Sequence, residues 1–153
     1  MSMNFLLAVL PNTDASRLVR DPTEAATDFH STSAPFAEGA YVAQAGPHAV
    51  LVDATAELFS LGKSSWIPDG TALVTLGGTS DVYGFEVFGT SPRERVVEYG
   101  DITVDTGTPV PAEEVLAGDD QEDAHLELAA RLAGITVREL FGLEWRPVAP
   151  NLL

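Results

Sequence analysis

The side chains of this chain that could do chemistry are mostly carboxylates. Glu113, Glu114, Asp119, Asp120, Glu122, Asp123 and Glu127 follow one another with no Lys or Arg among them. Such a run can hold a hard cation, charge the start of a helix, or meet a basic protein surface. The calcium-loop order of alternating acids, a glycine and a terminal Glu at the twelfth position is missing, so no metal is expected. Asp119 to Asp123 fall at the start of the longest expected helix, where the macrodipole favours negative charge. Glu127 and Arg131 pair four residues apart in the better orientation. The remaining use is contact with a basic partner. Glu113, Glu114, Asp119, Asp120, Glu122 and Asp123 are therefore the candidate partner-binding residues, with Trp145 as an aromatic anchor.

Other constellations fall short of catalysis. His30, His48 and His125 share no metal-type spacing, and surface or partly buried positions are expected for them. Gly62-Lys63-Ser64 imitates the end of a phosphate loop, but position 57 is Glu57 where that loop needs glycine. It also follows a helix instead of opening one, which leaves no helix N-terminus for an anion. Gly77-Gly78-Thr79-Ser80-Asp81 could offer backbone N–H groups to a ligand, and it equally suits a hairpin connection. No serine sits in a G-x-S-x-G elbow. No catalytic residue and no cofactor are assigned.

Composition narrows the partner classes. The chain has 153 residues, 45% of them hydrophobic, which suits one globular domain. Cysteine is absent, so disulfides and thiol chemistry are excluded. Twenty-three acids against eight bases give a formal net charge of -15, which argues against binding to a nucleic-acid backbone. The apolar run from Phe5 to Leu10 has no preceding Lys or Arg and is too short for a signal core or a membrane span. No membrane association and a cytoplasmic location are expected.

The elements that must position these residues follow from periodicity. Phe5 to Leu10 reads as a strand covered on both faces. Asp21-Pro22-Thr23-Glu24 carries an N-cap acid, a proline at the first helical position and Glu at the third, predicting a short helix to about Phe29. His30 to Gly39 reads as loop. Tyr41–Ala43 and Ala49–Val52 form two strands around Ala45-Gly46-Pro47. Thr55 to Leu61 suits a short helix stopped by Gly62. Ala72–Leu76, Val82–Phe88 and Arg95–Tyr99 are further strands, with the facing of Val96 and Val97 ambiguous. Helices are expected over Pro111–Ala117, Glu122–Ala133 and Val137–Phe141, the last with a capping box of Thr136 and Glu139. The fold class is α+β. A single domain over 1–142 has a largely antiparallel sheet of five to six strands and clustered C-terminal helices. Residues 143–153 form an extended tail in which Pro147 and Pro150 forbid a helix while Trp145, Val148, Leu152 and Leu153 are apolar.

Three stretches carry a resemblance. Asp81-Val82-Tyr83-Gly84-Phe85-Glu86-Val87-Phe88, then Arg93-Glu94-Arg95, then Gly107-Thr108-Pro109-Val110-Pro111-Ala112-Glu113-Glu114 are similar to a family of uncharacterised acidic actinobacterial proteins, a domain of unknown function. Its pattern is an aromatic strand, a strand opening on arginines, and a G-x-P-L-P-x-E boundary before acidic helical sequence. Val110 stands here where the pattern has Leu. The ending Leu140-Phe141-Gly142 is also similar. The resemblance covers the C-terminal half, implies the same α+β arrangement there, and implies no activity.

The reading is a non-enzymatic acidic accessory protein that engages a protein partner with a basic surface, or self-associates through its tail. Two alternatives carry other chemistry. One is a small enzyme or ligand-binding domain using the Gly77–Asp81 loop. The other is a DNA-mimic inhibitor, which needs carboxylates at phosphate-like spacing. A formal charge of -15 on a domain of this size also sets an expectation for stability. Self-repulsion is screened by salt, so the melting temperature should rise between dilute buffer and moderate sodium chloride. Calorimetry checks this, and a flat curve means that the acids are already compensated.

Overall fold

Phe5 to Leu10 are all buried. Successive side chains on a strand point to opposite faces, so this segment has to be covered on both sides. The computed structural model describes residues 3–34, 37–150 and 152. In it β1 (Asn4–Leu10) lies inside an eight-stranded sheet with β2 (Ala40–Ala45), β3 (His48–Asp53), β4 (Ala72–Gly77), β5 (Val82–Val87), β6 (Arg93–Glu98), β7 (Asp101–Gly107) and β8 (Arg146–Pro147). The strand order is β7-β6-β5-β4-β1-β3-β2-β8, and the pairings are antiparallel. The α+β class stands, with more strands than the five to six expected.

Two layers cover the sheet. On one face Phe5, Leu7, Val74, Leu76 and Phe85 pack under α1 (Phe29–Ser33), α2 (Gln121–Leu132) and α3 (Val137–Phe141). A 3-10 helix over Pro111–Ala117 adds Leu116 to this layer. On the other face Leu6, Ala8, Leu10, Leu51 and Leu73 meet Leu18 and the 3-10 helix Glu57–Lys63, which contributes Leu58 and Leu61. Gly62 lies within that helix and does not stop it. A Cβ there would sit 2.5 Å from Phe88 Cε1, so glycine is needed for the Phe88 ring to close the edge of this layer.

The structure corrects several expectations. Asp21 opens no helix: its Oδ1 accepts from the N–H and hydroxyl of Thr23, and Glu24 is taken by Arg20. Thr27 is held extended by its backbone pairing with Trp145, and the helix starts later, capped by Asp28, whose side chain accepts from Ser31 N–H. Part of the expected loop from His30 is thus helical, and its Pro35 lies outside the described residues. The Thr136–Glu139 capping box forms as expected. Strand β7 is an addition. Its register against β6 shifts between Val96 and Val97, which is why their facing is ambiguous in sequence: Val97 is buried and Val96 only partly so.

The C-terminal segment belongs to the domain, although Asn151 and Leu153 lie outside the described residues. Trp145 is completely buried, 5.8 Å from the Phe29 ring, and exchanges backbone hydrogen bonds with Thr27. β8 then pairs with β2, and Trp66 Nε1 donates to the Leu152 carbonyl. The Trp145 indole N–H has no partner among the described residues. Trp145→Ala should therefore cost about 3–5 kcal/mol as a core cavity. Trp145→Phe should cost far less, since it also removes an orphaned donor. Urea denaturation of the two variants checks the contrast.

Candidate functional site

The acidic segment divides once folded. Glu113 faces inward: its carboxylate takes Nε and Nη2 of Arg93 at 3.0 and 2.7 Å and the Val110 N–H at 2.5 Å. Arg93 is itself buried, with only 3% of its surface exposed, and also donates to Asp105 and the Thr106 carbonyl. Burial pushes the Glu113 carboxyl up, but Arg93 and the Val110 N–H outweigh it and hold the group below its usual range. Glu114 is exposed and meets Arg131, which also reaches Glu127. Of the expected partner-binding residues, Glu113 is therefore engaged in an ion pair with the buried Arg93, and Trp145 lies in the core.

The other four acids remain at the start of α2. Asp120 caps it by accepting from the Asp123 N–H at 3.1 Å, Glu122 accepts from the Met3 N–H, and Asp119 and Asp123 are exposed. Tyr83 on β5 shows what else comes to this place. Burial first, then the charges of Glu122, Asp81 and Asp120, push its phenol up. The β4–β5 turn thus adds Asp81 to the acids of α2, a convergence that sequence spacing could not show.

That turn is no anion cradle. The N–H groups of Gly78, Thr79, Ser80 and Asp81 donate to Met3 O, Asn4 Oδ1, Gly77 O and Gly78 O. With its amides spent internally, the Gly77–Asp81 loop is a hairpin turn. Beside it, the Tyr99 N–H donates to Asp81 O, joining this turn to the β6–β7 turn at one end of the sheet. Tyr99 was missed in the sequence, where it closed a strand. It has φ +53 with Gly100 at φ +84, and 75% of its surface is exposed. Ile102, also exposed, lies just beyond.

The histidines stay apart. His30 is exposed on α1, and His48 Nδ1 accepts from the Asn12 N–H. His125 is fully buried on α2, contrary to expectation. Its Nδ1 lies 2.8 Å from the Gln121 carbonyl, so the proton belongs on Nδ1, and Nε2 has no partner among the described residues. The Tyr83 ring lies 5.6 Å away. No group of three His, Asp or Glu side chains able to hold a metal occurs among the described residues. A groove of about 740 Å³ runs beside β2 and β8. Its polar lining is occupied, since Gln44 bonds four backbone groups and Arg146 donates to Glu24 O.

No family model matches the chain, and no curated protein or solved structure matches it significantly. No helix among the described residues is long and apolar enough to cross a membrane.

His125 gives this region a pH signature. Burial first, and then the nearby Arg95 charge, hold its imidazole below the ordinary 6.5. Below pH 6.5 the unfolded chain binds a proton that the folded chain refuses, so stability falls with pH until the folded value is reached. The loss per pH unit is bounded by about 1.4 kcal/mol for one proton. Denaturation at pH 7 and pH 5.5 should show this loss in the wild type and a flatter response in His125→Gln. Equal slopes would mean that the buried imidazole is not what titrates.

Proposed function

We propose that the protein is a non-enzymatic binding protein that engages a protein partner with a basic surface. Tyr99 carries this reading. A two-residue hairpin turn with both φ values positive favours Asn-Gly or Asp-Gly, and any other L-residue at the first position is strained. Tyr99 takes that strain and recovers little of it by burial, since most of its surface faces solvent. Aromatic side chains with that exposure and a polar tip are frequent anchors of protein interfaces. Its neighbours are acidic: Glu98 and Asp101 flank the turn, and the Tyr99 N–H donates to the Asp81 carbonyl. An aromatic anchor flanked by carboxylates suits a basic, partly apolar patch on another protein.

Tyr99→Asn separates stability from binding. The variant should melt at the wild-type temperature or above, because Asn tolerates the left-handed region. Affinity capture from the protein's own cells should then lose a basic protein that the wild type retains, and that retention should weaken with added salt. Capture of the same partner by both forms removes Tyr99 from the interface and this reading with it.

A further inference from the structure

The layer containing the Glu57–Lys63 helix covers only part of its face. It ends at Leu73 and Phe88, and among the described residues no second layer packs on the same face of β5, β6 and β7. The register sorts that open face into three rows crossing the strands. One row is Glu86, Glu94 and Thr106, directly opposite one another. The middle row is Thr75, Gly84, Val96 and Val104. The third is Val82, Glu98 and Asp101.

The middle row forms a floor. Gly84 is buried in this row: a Cβ would lie 3.0 Å from Arg95 O and 3.3 Å from Val96 Cγ2, so the Val96 side chain already leans over it and the floor stays low between the two rims. Val96 and Val104 are partly exposed on either side of the β6–β7 pairing. Both rims hold like charges in register, Glu86 against Glu94 and Glu98 against Asp101, an arrangement that destabilises a sheet. Burial and the Glu94 charge push the Glu86 carboxyl up. The opposite face of the same strands is charge-balanced, with Arg93 and Arg95 beside Asp105. On these three strands the like-charge pairs in register thus lie on the uncovered face.

We propose that this trough docks a basic amphipathic helix of a partner protein, its apolar ridge on Thr75, Gly84, Val96 and Val104 and its cations on the two acidic rims. The dimensions fit. The rims are four residues apart along the strands, or about 13–14 Å, and a helix with side chains is about 10–12 Å across. Four strands span about 14 Å, the length of nine or ten helical residues. A second copy of this chain is a poor occupant, because its longest helix presents Glu122, Asp123 and Glu127. The proposal rests on the binding-protein reading and names the partner segment.

The probe is a stapled twelve-residue helix with a Leu ridge flanked on both sides by Lys, titrated into the full chain and followed by amide NMR. Shifts should concentrate on Thr75, Gly84, Val96 and Val104. The Glu86→Gln/Glu94→Gln double variant should stay folded, with less repulsion, and bind at least tenfold more weakly. Val104→Ser, at a partly exposed edge position, should also weaken binding, whereas Tyr99→Asn should leave the trough shifts in place. Overturning results are shifts confined to the start of α2, equal affinity for an extended peptide of the same composition, or self-association that perturbs the trough. Each of these can occur with the native partner still lost in Tyr99→Asn, so the two readings fail separately.

Discussion

Burial of β1 on both faces is the constraint on which the rest of the structure depends. A strand with six consecutive buried side chains cannot lie on a two-layer sheet with one wet face. One cover is economical: α2 spans β1, β4 and β5, and its neighbours close around Phe29 and Trp145. The other is assembled from short 3-10 helices and irregular segments, which cover less sheet per residue. It shields β1, β2, β3 and β4 and stops at Phe88. The sheet nevertheless continues through β5, β6 and β7, so the open face follows from a sheet wider than its second layer.

Arg93 decides how the helical third is attached. It stands at the start of β6, donates to Asp105 and Thr106 O on β7, and holds Glu113 at the start of the next helix. One guanidinium therefore fixes the hairpin to the segment that leads into α2. Removing one member of such a pair leaves an uncompensated buried charge, a larger penalty than the pair's net contribution to stability. The acidic run is consequently not a uniform surface. Its first carboxylate is structural, Glu114 and Glu127 meet Arg131, Asp120 caps α2, Glu122 accepts from the Met3 N–H, and Asp119 and Asp123 are exposed.

The elements legible in the sequence were those whose signal is local and whose energetic gain is large. The uninterrupted run of β1, the Gly46 turn and the Thr136–Glu139 box could all be read directly. Asp21 misled because a capping pattern can equally be satisfied by a turn, and the long-range pairing of Thr27 with Trp145, invisible in local sequence, holds the chain extended just behind it. β7 was silent for the opposite reason: Asp101 to Gly107 is an edge strand exposed on most of its length, so no hydrophobic period marks it. β8 is two residues long and contains a proline, and it exists only because β2 offers it a partner.

The candidate site was less legible than the fold because it is made of register. Glu86 and Glu94 are unremarkable in sequence, separated by a turn and an exposed loop. Only pairing Glu86 with Glu94 and Glu98 with Asp101 turns scattered acids into two rims. Composition sets the excess of carboxylates but could not say which acids fold into internal pairs. The ion pairs consume bases in the same process: Arg20, Arg93 and Arg131 are engaged with acids of this chain. Each internal pair removes a cation from the surface, and none of them lies in the three rows of the open face. The four acids of those rows, Glu86, Glu94, Glu98 and Asp101, are thus set in register with no cation between them.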